Sequence, residues 1–175
     1  MIAIQHSDWN FTATQGNSTL ANQPLALQKP VLVEYGKTLV LSPSSTGVLT
    51  RKDFATLQLE SASLSIDSEG KALILDQGIA VISCQRKEKT WGLLIKTPFG
   101  EVRDVGTVFA LDVASAELRL EVKEGMVRVL SNSHQKDFGP GSKCRVNRLG
   151  FLNDEVSPPE NPDLKPLDRK PTSDD

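Results

Sequence analysis

The sequence is short of the residues that usually build a reactive centre. Its 175 residues include two cysteines, two histidines, one tyrosine and two tryptophans. Two cysteines, Cys84 and Cys144, make no disulfide framework. They read either as buried thiols acting as small hydrophobes or as one bridge in an oxidising compartment. Neither has a second cysteine or a histidine close by, and there is no Cys-x-x-Cys or His-x-x-x-His pair, so no metal site is expected. His6 lies near the start of the chain. His134 lies in the polar stretch 131–136, which reads as an exposed loop between apolar strands. There is no Gly-x-Ser-x-Gly elbow and no phosphate-cradling glycine loop. Gly100 and Gly106 do not form a dinucleotide fingerprint, because no helical pattern follows them. No cofactor is expected.

Charge of one sign is also lacking. Lys plus Arg is 20 and Asp plus Glu is 22. The last 18 residues, from Pro158 onward, hold five acids and three bases, so the body carries 17 of each sign. A neutral body excludes capture of a nucleic-acid backbone or an anionic membrane by bulk charge. The six Phe, Tyr35, Trp9 and Trp91 are too few and too scattered for a row of sugar- or base-stacking platforms. No apolar run approaches the roughly 20 residues that span a bilayer as a helix. The longest are short pieces such as residues 72–75, 79–82 and 93–95. Residues 1–10 have neither the basic start nor the apolar stretch of a secretion signal.

What the sequence has is alternation. Leu57 and Leu59 flank Gln58, and Leu64 and Ile66 flank Ser65. Leu118, Leu120 and Val122 interleave with Arg119, Glu121 and Lys123, and Val127 and Val129 flank Arg128. Period two puts one set of side chains on one face of a strand and wets the other, as in antiparallel sheets. Residues 71–75 and 78–83 are apolar on both faces and are expected deeper. No long stretch has helical spacing. With turn signals every 8–12 residues, the fold class expected is all-β: two packed sheets in a jelly-roll-like sandwich, or a short β-solenoid.

The turns have their own chemistry. In Thr97-Pro98-Phe99-Gly100, Pro98 supplies the fixed φ of a type I turn. Gly139-Pro140-Gly141-Ser142 fits type II, with Gly141 at the position needing positive φ. Ala114-Ser115-Ala116 reads as a hairpin tip, and so does Lys123-Glu124-Gly125. A weak internal echo links residues 72–82 with 118–129: in each, a strand runs into a glycine, Gly78 or Gly125, and another leaves it. Residues 36–41 resemble a degenerate third copy. Two or three loose copies arise in any chain of hairpins and also in a stacked, coil-like sheet pair.

Asp104 and Asp112 flank one predicted strand, and Glu121 and Glu124 sit on another. Paired carboxylates serve glycoside hydrolysis. These four alternate with apolar residues, which assigns them to solvated faces, and the sequence predicts a non-enzymatic protein. Three segments are expected: 1–30 with N-terminal strands and a loop, 31–156 as the β domain, and 157–175 as a Pro-rich extended tail or linker, since half of the ten prolines fall in 158–171.

One run is more specific. Thr97, Gly100, Val102, Gly106, Thr107 and Phe109 match a T-x-x-G-x-V-x-x-x-G-T-x-F pattern. Leu120, Val122, Gly125, Val127 and Val129 match the V-x-V-x-x-G-x-V-x-V element that follows, with Leu120 in the first valine place. Phe138 and Gly141 fill an L-x-x-G turn, with Phe for the usual aliphatic. Residues 73–82 look like an upstream L-x-x-G element. Three elements in order, over about residues 31–146, resemble the FecR domain. Taken without the family, Gly106 breaks one strand from the next at a sharp bend or bulge, Thr107 satisfies a loose backbone group there, and Phe109, Leu111 and Val113 point into the core. The motif residues Thr97, Gly100, Gly106, Thr107, Phe109, Gly125 and Gly141 are therefore expected to be architectural.

The resemblance implies an extracytoplasmic part of a bacterial sigma-factor regulator tethered to the inner membrane. It implies a protein partner, in the best-known arrangement the signalling domain of an outer-membrane receptor. The sequence in hand shows no cytoplasmic anti-sigma segment and no membrane helix, so it reads as an excised domain or as a member of different architecture, touching the membrane only through a segment outside it. The alternative is a cell-envelope structural or carbohydrate-binding β-sandwich that would use Trp9 or Trp91.

Overall fold

The computed structural model describes residues 7–85 and 92–152, so His6, Trp91 and the Pro-rich segment lie outside the described residues. The described chain is all strand and turn. In order it forms β1 (Trp9–Gln15), β2 (Ser18–Leu20), β3 (Gln23–Pro24), β4 (Val31–Leu32), β5 (Thr38–Leu41), β6 (Thr46–Arg51) and β7 (Ala55–Ile66). It continues with β8 (Leu73–Cys84), β9 (Leu94–Thr97), β10 (Gly100–Val113), β11 (Leu118–Ser131), β12 (His134–Phe138), β13 (Lys143–Asn147) and β14 (Gly150–Phe151). All fourteen belong to one hydrogen-bonded sheet with open ends. The pairing is antiparallel except between β8 and β9.

Four long strands organise it, and each changes neighbours halfway. In β7, residues 55–60 pair with β6 and residues 63–65 with β5. In β8, Leu73 and Ile74 pair with β9, and residues 78–83 with β10. In β10, residues 100–103 pair with β9 and residues 108–113 with β8. In β11, residues 118–121 pair with β13 and residues 127–131 with β12. The strand halves thus fall into two runs. One runs β4-β1-β6-β7-β8-β10-β11-β13-β14, the other β3-β2-β5-β7-β8-β9-β10-β11-β12. They form two layers drawn from a single open sheet that share one core, in keeping with the all-β class expected from the alternation.

The core is shared. Phe11, Leu49, Leu57, Leu59, Ile82, Phe109 and Leu111 from the first run and Leu39, Leu64, Ile66, Leu73, Leu75 and Ile95 from the second are buried in one apolar cluster. Each contributes roughly 1.5–3 kcal/mol when fully buried. Phe109, Leu111 and Val113 point into it as expected.

The crossings occur at special backbone positions. Ser61 in β7 and Gly78 in β8 have φ of 49° and 106°, and Gly106 in β10 and Gly125 in β11 have φ of 65° and 77°. The register slips between Glu60 and Ser63 and between Val105 and Val108. These are aligned bulges on paired strands, which bend the ladder without ending it. Two turn readings are corrected by this. Lys123-Glu124-Gly125 is not a hairpin tip; β11 runs through it unbroken. Gly106 does not separate two strands; it bends one. The glycines of the internal echo, Gly78 and Gly125, both sit at such bends.

Other expectations are corrected by burial. Residues 71–75 and 78–83 are not buried on both faces. They alternate, with Leu73, Leu75, Ala80 and Ile82 inside and Ile79 38% exposed. The stretch 131–136 is not a loop: Asn132 and Ser133, both with positive φ, make a two-residue turn, and His134 opens β12 opposite Ser131. The remaining turns agree with their chemistry. Ala114 N–H bonds Glu117 O at 3.0 Å, and Ser142 N–H bonds Gly139 O at 3.2 Å with Gly141 at φ 81°.

Candidate interaction surface

The motif residues converge on the joints of the fold. Thr97 and Gly100 close the β9–β10 hairpin; Thr97 Oγ1 donates to Gly100 O at 2.9 Å and accepts from Phe99 N–H at 3.2 Å. The hydroxyl thereby takes up backbone groups that a two-residue connection leaves over. Ser131 Oγ donates to Phe99 O at 2.9 Å and pins this hairpin to the β11–β12 turn.

Gly106, Thr107 and Gly125 meet at one bend. The Thr107 hydroxyl, expected to bond backbone, instead donates to Asp104 Oδ1. Asp104 is the larger correction. It does not face water; it is wholly buried, on the inward face of β10 between Val102 and Thr107. Its backbone bonds Leu93 O and Gly92 N–H. A buried carboxylate is costly without hydrogen bonds, and here one of them ties the bulge to itself. Its place two residues after Val102 sets it on the inward face, but counted back from Phe109 it falls on the outer one, and only the bulge between Val105 and Val108 reconciles the two.

The four acids are not brought together. Asp112 lies on the outer face of β10 in the first layer, Glu121 and Glu124 are exposed on β11, and Asp104 points inward in the second layer. No carboxylate pair for acid–base work arises from them. Among the described residues no group of three His, Cys, Asp or Glu side chains is placed to hold a metal ion. Cys84 ends β8 and Cys144 lies in β13, with β10 and β11 between them. Three strand spacings put them about 14 Å apart laterally, twice the reach of a disulfide. Trp9 is 3% exposed and packs edge-on against Phe54, so it offers no sugar platform.

The polar chemistry is on the outer faces. On the first layer, Ile79, Asp112, Arg119 and Arg145 line up in one cross-strand row, and Val81, Ala110, Glu121 and Lys143 in the next. All of these but Val81 line a shallow concavity of about 630 Å³. Glu117, in the turn before β11, locks one side. Arg145 Nη2 lies 2.7 Å from Glu117 Oε2 and Arg119 Nε 2.7 Å from Oε1. The hydrogen bond from Arg145, then that from Arg119, holds the Glu117 carboxyl below its ordinary pKa. Sequence reasoning missed this triad; the cross-strand pair of Arg119 and Arg145 is visible only once β11 and β13 are known to be neighbours.

On the second layer, Arg128 and Asp137 form a two-bond fork at 2.7 and 2.8 Å. The hydrogen bond from Arg128 lowers the Asp137 pKa. Beside it Glu101, Arg103, Leu130 and Gln135 border a smaller hollow of about 230 Å³. His134 is exposed, with Nδ1 3.0 Å from Asn132 O. Such shallow, charge-balanced rows can recognise a protein surface.

No protein-family model matches the sequence, and no curated protein matches it. Solved structures do. A crystal structure at 1.65 Å of a candidate anti-sigma factor from Parabacteroides distasonis ATCC 8503 superposes with a TM-score of 0.57 at 17% identity, over 66% of this chain and 57% of that one. A second crystal structure of such a protein from the same organism, at 2.50 Å, gives 0.55 at 16% identity with the same coverage. This chain thus spans little more than half the length of that neighbour. At this identity the likeness is one of fold.

Proposed function

We propose that this chain is an extracytoplasmic, FecR-like binding and relay module of a transmembrane sigma-factor regulator, acting through protein–protein contacts. One observation carries the reading. The run from Thr97 to Gly141 that resembles the FecR domain coincides with the joints of a two-layer fold shared with a candidate anti-sigma factor. Residues spent on bends and turns specify a shape, and a shape with outward rows of paired charge is a docking body. A partner that binds one arrangement of the parent protein better than another shifts its population, and that shift is the signal. The partner in this reading is a protein, the receptor signalling domain being the first to examine. The module is held to the inner membrane by a segment outside this chain.

The test is made on the full-length gene product in its own host. Protease added to spheroplasts is expected to cut this body while a cytoplasmic control stays whole. Deleting the gene is expected to change transcription of genes under one alternative sigma factor. Protection from protease together with an unchanged transcript profile would refute the proposal.

A further inference from the structure

The edge of β1 is covered by an imperfect strand. The chain leaves the second layer after β3, crosses to the first to lie along β1, and returns to the second at β5. Along β1 this strap makes two short contacts that do not continue one another. Val31 and Leu32 pair antiparallel with Phe11 and Asn10, and Val33 N–H donates to Trp9 O at 2.9 Å. Leu27 instead bridges Ala13 in the parallel sense, and Gln28 N–H donates to Ala13 O at 2.8 Å. Between the two the strap reverses through Gln28, at φ 59°, and Pro30. A left-handed glutamine is strained, and a proline has no N–H to give a ladder.

The strap is also lightly held. None of residues 25–32 is buried, and Leu27 and Leu32 are 52% and 38% exposed. In the strap only Val33 is wholly inside, with its carbonyl accepting from the Ser7 hydroxyl. A segment that buries so little opens at a lower free energy than the body it covers.

β1 beneath it is a complete strand. It is seven residues long without proline, it buries Trp9, Phe11 and Ala13, and its other edge pairs with β6 from Trp9 to Gln15. Trp9 O and Ala13 O take bonds from the strap, so alternation turns the backbone of Trp9, Phe11 and Ala13 toward the strap and that of Asn10 and Thr12 toward β6. One uninterrupted antiparallel strand meets all three outward residues in a single register, where the strap must change sense. The strap's own side chains set the pattern such a strand needs. Val33 and Val31, opposite Trp9 and Phe11, pack toward the core, and Leu32, opposite Asn10, turns out.

We propose that the strap of residues 25–33 is displaceable, and that an extended segment of a protein partner takes its place on β1 with apolar side chains opposite Trp9, Phe11 and Ala13. This rests on the docking role proposed above and names the edge that performs it.

Native-state hydrogen exchange of the isotope-labelled full chain, read by amide NMR, tests the opening without any substitution. The Gln28 and Val33 amides are expected to exchange at least about a hundredfold faster than those of Asn10 and Thr12. The same chain is then titrated with a capped Ser-Val-Thr-Val-Thr-Val-Ser peptide, which is expected to move the Trp9, Phe11 and Ala13 amides most. Asn10 and Leu32 stand directly opposite each other at a non-bonded pair, where two cysteines can bridge. With Asn10→Cys and Leu32→Cys combined, the oxidised protein is expected to bind the peptide at least about tenfold more weakly than the reduced one, because the open state is withdrawn. Equal exchange of the four amides, shifts centred on another strand, no shifts at millimolar peptide, or binding unchanged by oxidation would each overturn the proposal. So would a dimer that forms in the reduced protein and not in the oxidised one, since a second copy would then be the occupant. The regulator reading is judged separately, by transcription. A profile that responds to loss of the gene, with no peptide bound at β1, would retain that reading and reject this edge.

Discussion

Gly125 and Thr107 face each other across the β10–β11 ladder with no room for a further atom. A Cβ on Gly125 would stand 2.4 Å from Thr107 Cγ2 and 2.6 Å from Gly106 O. Gly125 also has φ of 77°, where an L side chain is strained. The bend that carries β11 from one layer to the other thus depends on an absent side chain. Gly125→Ala is expected to cost at least about 2 kcal/mol in urea unfolding, from positive φ plus the clash. Gly139→Ala, with nothing within 4 Å of the new Cβ, is expected to stay within about 0.5 kcal/mol of the parent. Equal effects would disprove the role given to the bend.

The same argument holds at the other crossing. A Cβ on Gly78 would lie 2.4 Å from Ala62 Cα, a backbone atom that cannot turn aside. Gly78→Ala is expected to destabilise as Gly125→Ala does, read by the same unfolding curve. The two crossings then behave as equivalent joints.

The clasp under the Gly106 bulge gives a third prediction. Thr107→Val keeps the shape but removes the hydroxyl that donates to buried Asp104. It is expected to cost about 1–3 kcal/mol, the penalty for depriving a buried acceptor of a bond. Thr107→Ser keeps the donor and should recover most of the loss caused by Val, apart from its missing methyl. Differential scanning calorimetry of the three proteins decides it. A Ser variant no more stable than Val would show that packing, not the hydrogen bond, holds the bend.

The Glu117 triad predicts a pH dependence of definite sign. The hydrogen bonds from Arg145 and then Arg119 hold its folded pKa below the ordinary glutamate value, so the triad's contribution is complete above the unfolded value and is lost as the pH falls through the folded one. The stability gap between the parent and Glu117→Gln is expected to be constant near neutral pH and to close on acidification below about pH 4.5. A gap that widened as the pH fell would contradict the assignment. Asp137, lowered by Arg128, should follow the same course in Asp137→Asn.

The all-β class was legible because alternation is local: Leu57, Leu59, Leu118, Leu120 and Val122 announce one-faced strands without knowledge of their neighbours. The turns at Pro98, Ala114 to Ala116 and Pro140 were legible because φ preferences are local too. The bends were misread. A glycine after a strand fits a hairpin tip and a bulge alike, and only the partner strand's matching slip, Ser61 against Gly78 or Gly106 against Gly125, tells them apart. Asp104 was misassigned because the bulge at Gly106 switches the buried parity between Val102 and Phe109, and its compensating hydroxyl is three residues away around that bend. The Glu117 triad depends on which strands lie side by side, and no window of sequence contains that.

The central claim is that this β body docks a protein and thereby governs a sigma factor. The most direct measurement is transcription of the responsive genes in host cells lacking the gene. These are complemented with the intact gene or with a version in which residues 31–146 are replaced by an unrelated β domain of similar size. The account predicts that the intact gene restores the signal-dependent response and that the replacement, although expressed and anchored, does not. A full response from the replacement would contradict it.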